Sequence, residues 1–563
     1  MKNAPLILAG FMGTGKTTVS RLCAQRLDLP FIDADAEIEL REGMSIPHIF
    51  ERHGEAYFRQ REREFAAEIA QRGGCVVATG GGMVVDDDSR TILLSSGVCV
   101  CLVATPEAIL KRVGGEAAAQ KRPMLTGENV TARITQLLQD RSPKYAHFHY
   151  HLDTSERTAG EVAELVADIY AAEKARTPVN IPEARARYDI VVGDGVLDQL
   201  GFMLTGKGWN APYAIVSDTN VSSHHGQRAI QALKRAGLSG CMHIMHPGEA
   251  HKTLASVEAM YRAFSTYGLE RNSPVIALGG GVVGDVAGFA AATYLRGVPF
   301  VPVPTTVLAM ADSSVGGKVG VDTSFGKNLV GAFKQPDLVV MDMGTLRTLP
   351  IRELRCGMAE VVKSALLVGG APYMRLVSWL NAAPLSNIKA APGGLGNAHA
   401  AGSWVTGDLI DATVDAFLMK RDIVQADPFE RGRRAVLNLG HTFGHGIEAW
   451  SAFQIQHGEA VSLGMVCAAR LSQSLGVCSQ ADAQGVIELL RLVGLPTSMP
   501  DVYRFTQGLS FDGDKIWQTM QADKKKRAGK LRFVLLRAPG DVIVSEDVSE
   551  TLARSALASL AKP

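Results

Sequence analysis

The sequence predicts an α/β protein of three domains: a three-layer domain whose parallel sheet stands behind a phosphate-binding loop, a Rossmann-like α/β domain, and a mainly α-helical domain. Three observations predict this. The apolar run 5–9 meets Gly10-Phe11-Met12-Gly13-Thr14-Gly15-Lys16-Thr17, and a helical pattern of Val19, Leu22, Cys23 and Leu27 follows; strand, glycine loop and helix is the context a P-loop requires. Far downstream a second apolar run, Val275-Ile276-Ala277-Leu278, opens into Gly279-Gly280-Gly281-Val282-Val283-Gly284-Asp285. From about Arg352 the pattern turns mainly helical, with one late strand near 531–536.

A chain of 563 residues exceeds what one hydrophobic core usually serves. Boundaries are expected at 1–172, 188–351 and 352–563, with 173–187 as a linker, because AEKARTPVNIPEARAR at 172–187 has two prolines, mixed charge and few large apolar residues. Charged residues make up 20%, hydrophobic ones 46%, and the formal net charge is +1, so no basic excess points to nucleic acid. No stretch is apolar and long enough to cross a bilayer, and the first residues lack the longer apolar core of a signal peptide. The eight cysteines are scattered, and Cys99 and Cys101 have the spacing of alternate strand positions rather than of a metal clamp. A reduced, cytoplasmic chain is expected.

In the first domain, strands are expected at 5–9, 29–32, 75–78 and 98–103, each but the last followed by a distinctive polar or glycine segment. In the loop after the first, glycines bring backbone N–H groups onto a polyphosphate, Lys16 neutralises the outer phosphates, and Thr17, beside Thr18, is placed to ligate magnesium. Asp33 and Asp35 follow the second strand, at the sheet edge where ligands collect; one carboxylate suits a magnesium ion and the other an alcohol proton, although such a pair also caps helices. Arg59 and Arg61 in the segment 55–62 offer guanidinium groups to an anion, though on a charged helix most are solvated. Thr79-Gly80-Gly81-Gly82 admits a ligand against bare backbone or makes a plain tight turn. Lys121-Arg122-Pro123-Met124 reads as a mobile lid whose arginine caps a transferring phosphoryl group, and Arg141 adds a further cation.

GxxGxGKT, DAD, FRxxE, GGG, KRPML and Arg141, in that order and spacing, resemble shikimate kinase over residues 1–170. The resemblance implies ATP and Mg2+ at Gly13, Gly15, Lys16, Thr17, Thr18 and Arg122. It also implies shikimate at Asp35, Arg59, Gly80, Gly81, Gly82 and Arg141, with Asp35 as base and Lys16 and Arg122 acting on the phosphoryl group. A carboxylated triol needs guanidinium forks for its carboxylate and a carboxylate to activate a hydroxyl. Gluconate-kinase-like enzymes are the nearest rival.

Beyond the linker, strands are expected at 188–192, 213–217, 275–278 and 338–341. The glycine run after 278 satisfies G-x-G-x-x-G, but the acidic residue usual about 20 positions later is absent from Val301-Pro302-Val303-Pro304-Thr305-Thr306. Ribose contacts could instead come from Asp218-Thr219-Asn220 and from the loop carrying Glu249 and Lys252, each of which also reads as a turn or cap. His441 and His445, one helical turn apart, and His457 fall within 17 positions, and Glu360 offers a carboxylate with Lys363 nearby. Two imidazoles and a carboxylate leave coordination positions open, which is a catalytic arrangement, with zinc the first choice. Lys318, Lys327, Lys420, Arg434 and the run 524–527 supply cations for an anionic polyol.

LGGGVVGDVAGF, ATYLRGV, PTTVLAMADSSVGGK, GKNLVGAF, GMAEVVK and NLGHTFGH resemble 3-dehydroquinate synthase over about 188–540. The resemblance implies NAD+ at Asp218, Asn220, Glu249, Lys252, Gly280, Gly281, Asp285, Thr305, Thr306, Asp312, Ser313, Lys318, Lys327 and Thr348. It implies Zn2+ or Co2+ at Glu360, His441 and His457. Substrate contacts would be Asp312, Lys318, Lys363, Lys420, Arg434, Asn438, His445 and Lys525, with Arg296 reaching in from a neighbouring subunit; Lys318 and His445 take catalytic roles, the latter as proton carrier. Two departures from the family pattern are Pro428 after Asp427 and an enlarged loop at 390–403. The whole is expected to be a cytoplasmic bifunctional enzyme, homodimeric through its second half, that acts on shikimate with ATP and on a phosphorylated heptulosonate, with no nucleic-acid or membrane partner. The alternatives are another sugar phosphate cyclase, a glycerol-type dehydrogenase, or one half kept inactive for assembly or regulation.

Overall fold

The computed structural model describes residues 4–562 apart from 120–124, 126–128, 149, 182–185, 389–404, 429–431 and 527–530. The chain divides into two compact units: Met1–Arg176 with Asp198–Asn210 and Ala232–Leu238, and Thr177–Leu197 with Ala211–Gln231 and Ser239–Pro563.

The first unit carries β1 (Leu6–Gly10), β2 (Phe31–Asp33), β3 (Val76–Ala78), β4 (Val98–Val103) and β5 (Tyr150–Asp153) in a five-stranded sheet of order β2-β3-β1-β4-β5. Each described pairing is parallel. All five residues of β1 are buried because helices cover both faces, which is why a central parallel strand reads as an unbroken apolar run. Alternate residues serve opposite cores: Ile7 and Ala9 pack with Phe65 and Val77, whereas Leu6 and Leu8 pack with Val19, Cys23 and Val166. The carboxyl ends of β1, β2 and β3 thus open together onto the P-loop, the Asp33–Asp35 segment and the glycine turn at 80–82.

The second unit carries β6 (Arg176–Ile181), β7 (Ala186–Gly193), β8 (Tyr213–Asp218), β9 (Gly240–Met245), β10 (Val275–Gly279), β11 (Phe300–Pro304), β12 (Lys318–Thr323), β13 (Gly326–Phe333), β14 (Leu338–Asp342), β15 (Phe533–Ala538) and β16 (Asp541–Ser545). A parallel sheet of order β11-β10-β8-β9 stands beside a three-stranded sheet β14-β7-β6 and two antiparallel hairpins, β12-β13 and β15-β16. One core joins Tyr188, Ile190, Val339 and Met341 of the strands to Met358, Leu463 and Val466 of the helices, and the stretches 188–351 and 352–563 both contribute to the second unit.

The segment 173–187, expected as a linker without regular structure, contains the break between the units at Arg176 and Thr177 but holds the end of helix Ala159–Lys174, all of β6 with Val179 fully buried, and the start of β7. The loop expected at 390–403 lies outside the described residues. No helix among the described residues is long and apolar enough to cross a membrane.

Candidate active sites

The first site is assembled at the glycine turn. Gly10, Gly13 and Gly15 adopt φ values of 143°, 78° and 95°, and helix Lys16–Leu27 begins at once, so the loop's backbone donors and the helix N-terminus face one space. Lys16 Nζ donates to Phe11 O at 3.2 Å, and its burial lowers its pKa. Thr17 Oγ1 donates to Asp33 Oδ2 at 3.0 Å, so a hydroxyl and a carboxylate stand side by side, a donor pair that fits a divalent ion; Thr18 is exposed on the same first turn. Asp33 also caps helix Ala34–Glu42 by accepting from the Ala36 N–H, which realises the cap reading.

Asp35, Arg59 and Arg141 converge on Gly80–Gly82. A Cβ on Gly80 would stand 2.2 Å from Asp35 Oδ1, and one on Gly82 2.1 Å from Arg59 Nη1. Arg141 Nη1 donates to Gly81 O at 2.9 Å and its guanidinium lies 5.4 Å from the centre of the Phe11 ring. Burial and neighbouring Asp33 raise the Asp35 carboxyl above its ordinary value against the pull of Lys16, which suits a proton acceptor. Arg59 is gripped by Glu55 at 3.0 Å and by the wholly buried Glu62. The Glu62 carboxyl is pushed up to about 7 by burial, with Arg59 opposing the rise. The sequence reading included Glu62 in its FRxxE motif but gave it no role; a glutamate three residues from an arginine on a helix is the signal that would have found it. Arg122 lies outside the described residues.

In the second unit β10 delivers Gly279 and Gly280 to helix Gly281–Thr293. A Cβ on Gly280 would sit 3.3 Å from Thr306 Cγ2 and one on Gly281 3.3 Å from Ser313 Oγ, so these glycines leave a cradle that a side chain would fill. Thr305 Oγ1 is buried there without a hydrogen-bond partner, as expected of a group that meets a ligand. Around this cradle Lys252 Nζ pairs with Asp285 Oδ2 at 2.6 Å and donates to Asn328, and Lys327 Nζ pairs with Glu249 at 2.9 Å. Asp218 caps its helix by accepting from the N–H groups of Asn220 and Val221 at 2.8 and 2.9 Å, which realises the cap reading. Thr348 Oγ1 lies 2.8 Å from His225 Nε2. These residues fit a dinucleotide.

Glu360, His441 and His457 come from three helices, Ile351–Val368, His441–Trp450 and His457–Ser474, yet their ligand atoms lie within 4.8 Å of one another. The Nε2 atoms of His441 and His457 are each 3.5 Å from Glu360 Oε1. Gly458 lets the helices meet, since a Cβ there would be 2.1 Å from Cys356 O. Arg352 forks onto Glu459 at 2.8 and 2.9 Å and ties the same two helices together. Glu360 is buried, and neither of its carboxylate oxygens has a hydrogen-bond partner in the structure, though Oε2 forms an ion pair with Lys363. Burial and Lys363 lower His441 to about 3, so its imidazole is neutral, the form that ligates. Two imidazoles and an unsatisfied carboxylate fit a divalent ion of the zinc or cobalt kind.

Two cations of the substrate reading, Lys363 and Lys420, stand beside this cluster. Lys420 Nζ pairs with Asp312 Oδ1 at 2.7 Å, and Lys363 bears electrostatically on both Asp312 and Glu360. A π-helical turn, Ala309–Ser313, presents Asp312 and Ser313, an irregularity common at functional sites and invisible in residue type. Arg434 is buried, with its N–H bonded to Asp427 Oδ2 at 2.9 Å and its Nη1 to Pro428 O at 3.0 Å, so Pro428 contributes a carbonyl to its placement. His445 lies 5.2 Å ring to ring from His441, outside the Glu360 triad but exposed beside it. Lys318 is exposed at the start of β12, Asn438 ends the turn Arg433–Asn438, and Lys525 falls on helix Gly513–Lys526 with its side chain outside the described residues. Arg296 is exposed, with φ 67°, next to Leu295 with φ 48°.

Known families match this division. The family model for shikimate kinase matches residues 12–170, that for the 3-dehydroquinate synthase N-terminal region 242–356, and that for its C-terminal region 357–526. A 3-dehydroquinate synthase of Caulobacter vibrioides is 42% identical over 391 residues, covering 68% of this chain and 97% of its own. The structure of ValA, a 2-epi-5-epi-valiolone synthase from Streptomyces hygroscopicus with NAD+ and Zn2+ bound, is 27% identical with a TM-score of 0.57, covering 66% of this chain and 96% of that one. A 2-deoxy-scyllo-inosose synthase complexed with carbaglucose-6-phosphate, NAD+ and Co2+ is 25% identical with a TM-score of 0.56, covering 68% of this chain and 99% of that one. The chain therefore belongs to the 3-dehydroquinate synthase family and carries a shikimate kinase domain ahead of it, which makes it a bifunctional enzyme of the shikimate pathway.

Proposed function

We propose that the first unit transfers the γ-phosphoryl group of ATP to shikimate, giving shikimate 3-phosphate, and that the second converts 3-deoxy-D-arabino-heptulosonate 7-phosphate to 3-dehydroquinate and phosphate. In the first unit Gly13, Gly15, Lys16 and Thr18 hold the polyphosphate, and Thr17 with Asp33 holds Mg2+, whose charge would screen the phosphates. Arg59 and Arg141 grip the substrate carboxylate against Gly80–Gly82, and Asp35 takes the proton of the attacking hydroxyl. Arg122 caps the transferring group. The observation that carries this half is the convergence of Asp35, Arg59 and Arg141 on three consecutive glycines.

In the second unit the glycine cradle, with Thr305, Thr306, Asp285, Lys252 and Thr348, holds the dinucleotide, and Glu360, His441 and His457 hold the ion. When bound, NAD+ supplies reversible hydride acceptance at C5, and zinc or cobalt supplies polarisation of the C5 oxygen. Asp312, Lys318, Lys363, Lys420, Arg434 and Asn438 orient the phosphorylated polyol and gather the phosphate that leaves, with Lys525 contributing at the helix end. His445, exposed beside the triad, carries a proton during ring opening and the internal aldol closure. The carrying observation is the meeting of one acid and two imidazoles from three helices. We further propose a cytoplasmic homodimer formed through this unit, with Arg296 crossing to the neighbouring copy.

The test is direct. With NAD+, Zn2+ and the heptulosonate phosphate the full chain should yield 3-dehydroquinate and phosphate without net NADH. With ATP, Mg2+ and shikimate it should yield shikimate 3-phosphate. Accumulated NADH, or phosphorylation of gluconate in place of shikimate, refutes the corresponding half.

A further inference from the structure

The two metal-site imidazoles are anchored differently. His441 Nδ1 lies 3.2 Å from the carbonyl oxygen of Leu439, a neutral partner in its own loop. His457 Nδ1 instead lies 3.3 Å from Glu448 Oε2, a largely buried carboxylate two helical turns beyond His441 on the same helix. Both contacts need the Nδ1–H tautomer, which leaves each Nε2 lone pair directed at the ion position beside Glu360 Oε1.

Glu448 is itself held. Lys327 Nζ, on β13, reaches its other oxygen at 3.2 Å while also pairing with Glu249 at 2.9 Å. The same ammonium lies 4.2 Å from the centre of the Phe453 ring. Ala452 and Phe453 adopt left-handed φ values of 48° and 63°, unusual for residues with side chains, to bring that ring back beside the lysine. The carboxylate therefore cannot swing away from His457 without breaking an ion pair that a strained turn helps to maintain.

Building on the metal reading above, we propose that Glu448 is a positioning residue for the metal: it fixes the tautomer and orientation of His457 and strengthens its Nε2 as a donor. A carboxylate behind an imidazole raises ligand basicity, and losing such a partner typically weakens metal binding 10- to 100-fold. Among the described residues the partner of His441 Nδ1 is a neutral carbonyl rather than a carboxylate, so the two histidines contribute unequally.

The experiment measures zinc affinity of the full chain by competition with a chromogenic chelator, together with the visible spectrum of the Co2+-loaded protein and thermal unfolding of the metal-free protein. Glu448→Gln should weaken zinc about 10- to 100-fold and shift the cobalt bands, with metal-free unfolding close to the parent; Glu448→Asp should recover part of the loss. Zinc binding by Glu448→Gln at parental affinity overturns the inference and leaves the metal site standing. Loss of zinc by both variants in step with early metal-free unfolding also overturns it, since Glu448 would then be structural. A parent chain that takes up no zinc, or one whose His441→Ala variant binds zinc equally well, overturns the metal reading and this inference with it.

Discussion

Substituting Gly80 by alanine isolates one contact in the kinase site. The backbone at Gly80 does not have the positive φ that would disfavour alanine, so the new methyl acts through sterics alone. Its Cβ would stand 2.2 Å from Asp35 Oδ1 and 3.2 Å from both Asp35 Cγ and Glu62 Oε1. Ordinary contact begins near 3.4 Å, so relief of the clash through the side chain alone moves the carboxylate by about 1.2 Å. Misplacing a reacting group by about 1 Å costs on the order of 100-fold in rate, or about 2.7 kcal/mol of transition-state stabilisation. A coupled assay of ADP formation with shikimate should show kcat/KM falling by roughly that factor, while phosphate release from the heptulosonate phosphate by the same polypeptide is unchanged. An unaltered kinase kcat/KM would mean that Asp35 is not the proton acceptor or that the turn yields without moving it, and the placement of the site at Gly80–Gly82 would fail.

Other outcomes follow from the same geometry. His441→Ala and Glu360→Gln should each abolish detectable cyclisation while leaving phosphorylation of shikimate intact, checked by following both products from one preparation. A zinc-selective chelator should do the same to the parent, with cyclisation restored by zinc or cobalt. Gly458→Ala would put a methyl 2.1 Å from the backbone oxygen of Cys356, which no side-chain rotation relieves; overpacking of this kind costs about 1–3 kcal/mol, read as a lower urea midpoint, and zinc affinity should fall with it. Glu62, raised from 4.5 to about 7, binds its proton more tightly folded than unfolded, so its contribution to stability is present below about pH 4.5 and is lost as pH rises through 7. Relative to Glu62→Gln, the parent should lose about 3 kcal/mol between pH 4 and pH 8; a difference independent of pH would refute the shift.

The parallel strands that end at ligand loops were legible because burial on both faces leaves runs such as 98–103 and 275–278 unbroken, and the structure adds at most a residue or two. Phe300–Pro304 was not legible as a strand. Pro302 and Pro304 lack N–H donors, and the segment survives in the sheet only because it is an edge strand that pairs with β10 alone. Arg176–Ile181 read as a linker for a similar reason, its proline and polar residues concealing a strand secured by Val179. The acid and imidazoles of the metal cluster could be picked out by residue type and spacing, as could the Asp35, Arg59 and glycine set. Glu62 had only its spacing from Arg59, one such pair on a charged helix, and its burial is what sets it apart; Glu448 is the single acid of His441–Trp450, and its contact with His457 is a tertiary one that its place in the sequence does not show. The π-turn that presents Asp312 is a backbone property that side-chain identity does not encode.

All eight cysteines are buried, and four belong to each unit: Cys23, Cys75, Cys99 and Cys101 to the first, Cys241, Cys356, Cys467 and Cys478 to the second. Burial pushes the thiols of Cys99 and Cys101 up to about 12 and that of Cys241 to about 11, so the folded chain presents almost no thiolate at neutral pH. An alkylating reagent therefore reacts only through transient opening, and mass spectrometry of the modified peptides would report the opening free energy of each unit separately, in one sample and with no probe introduced.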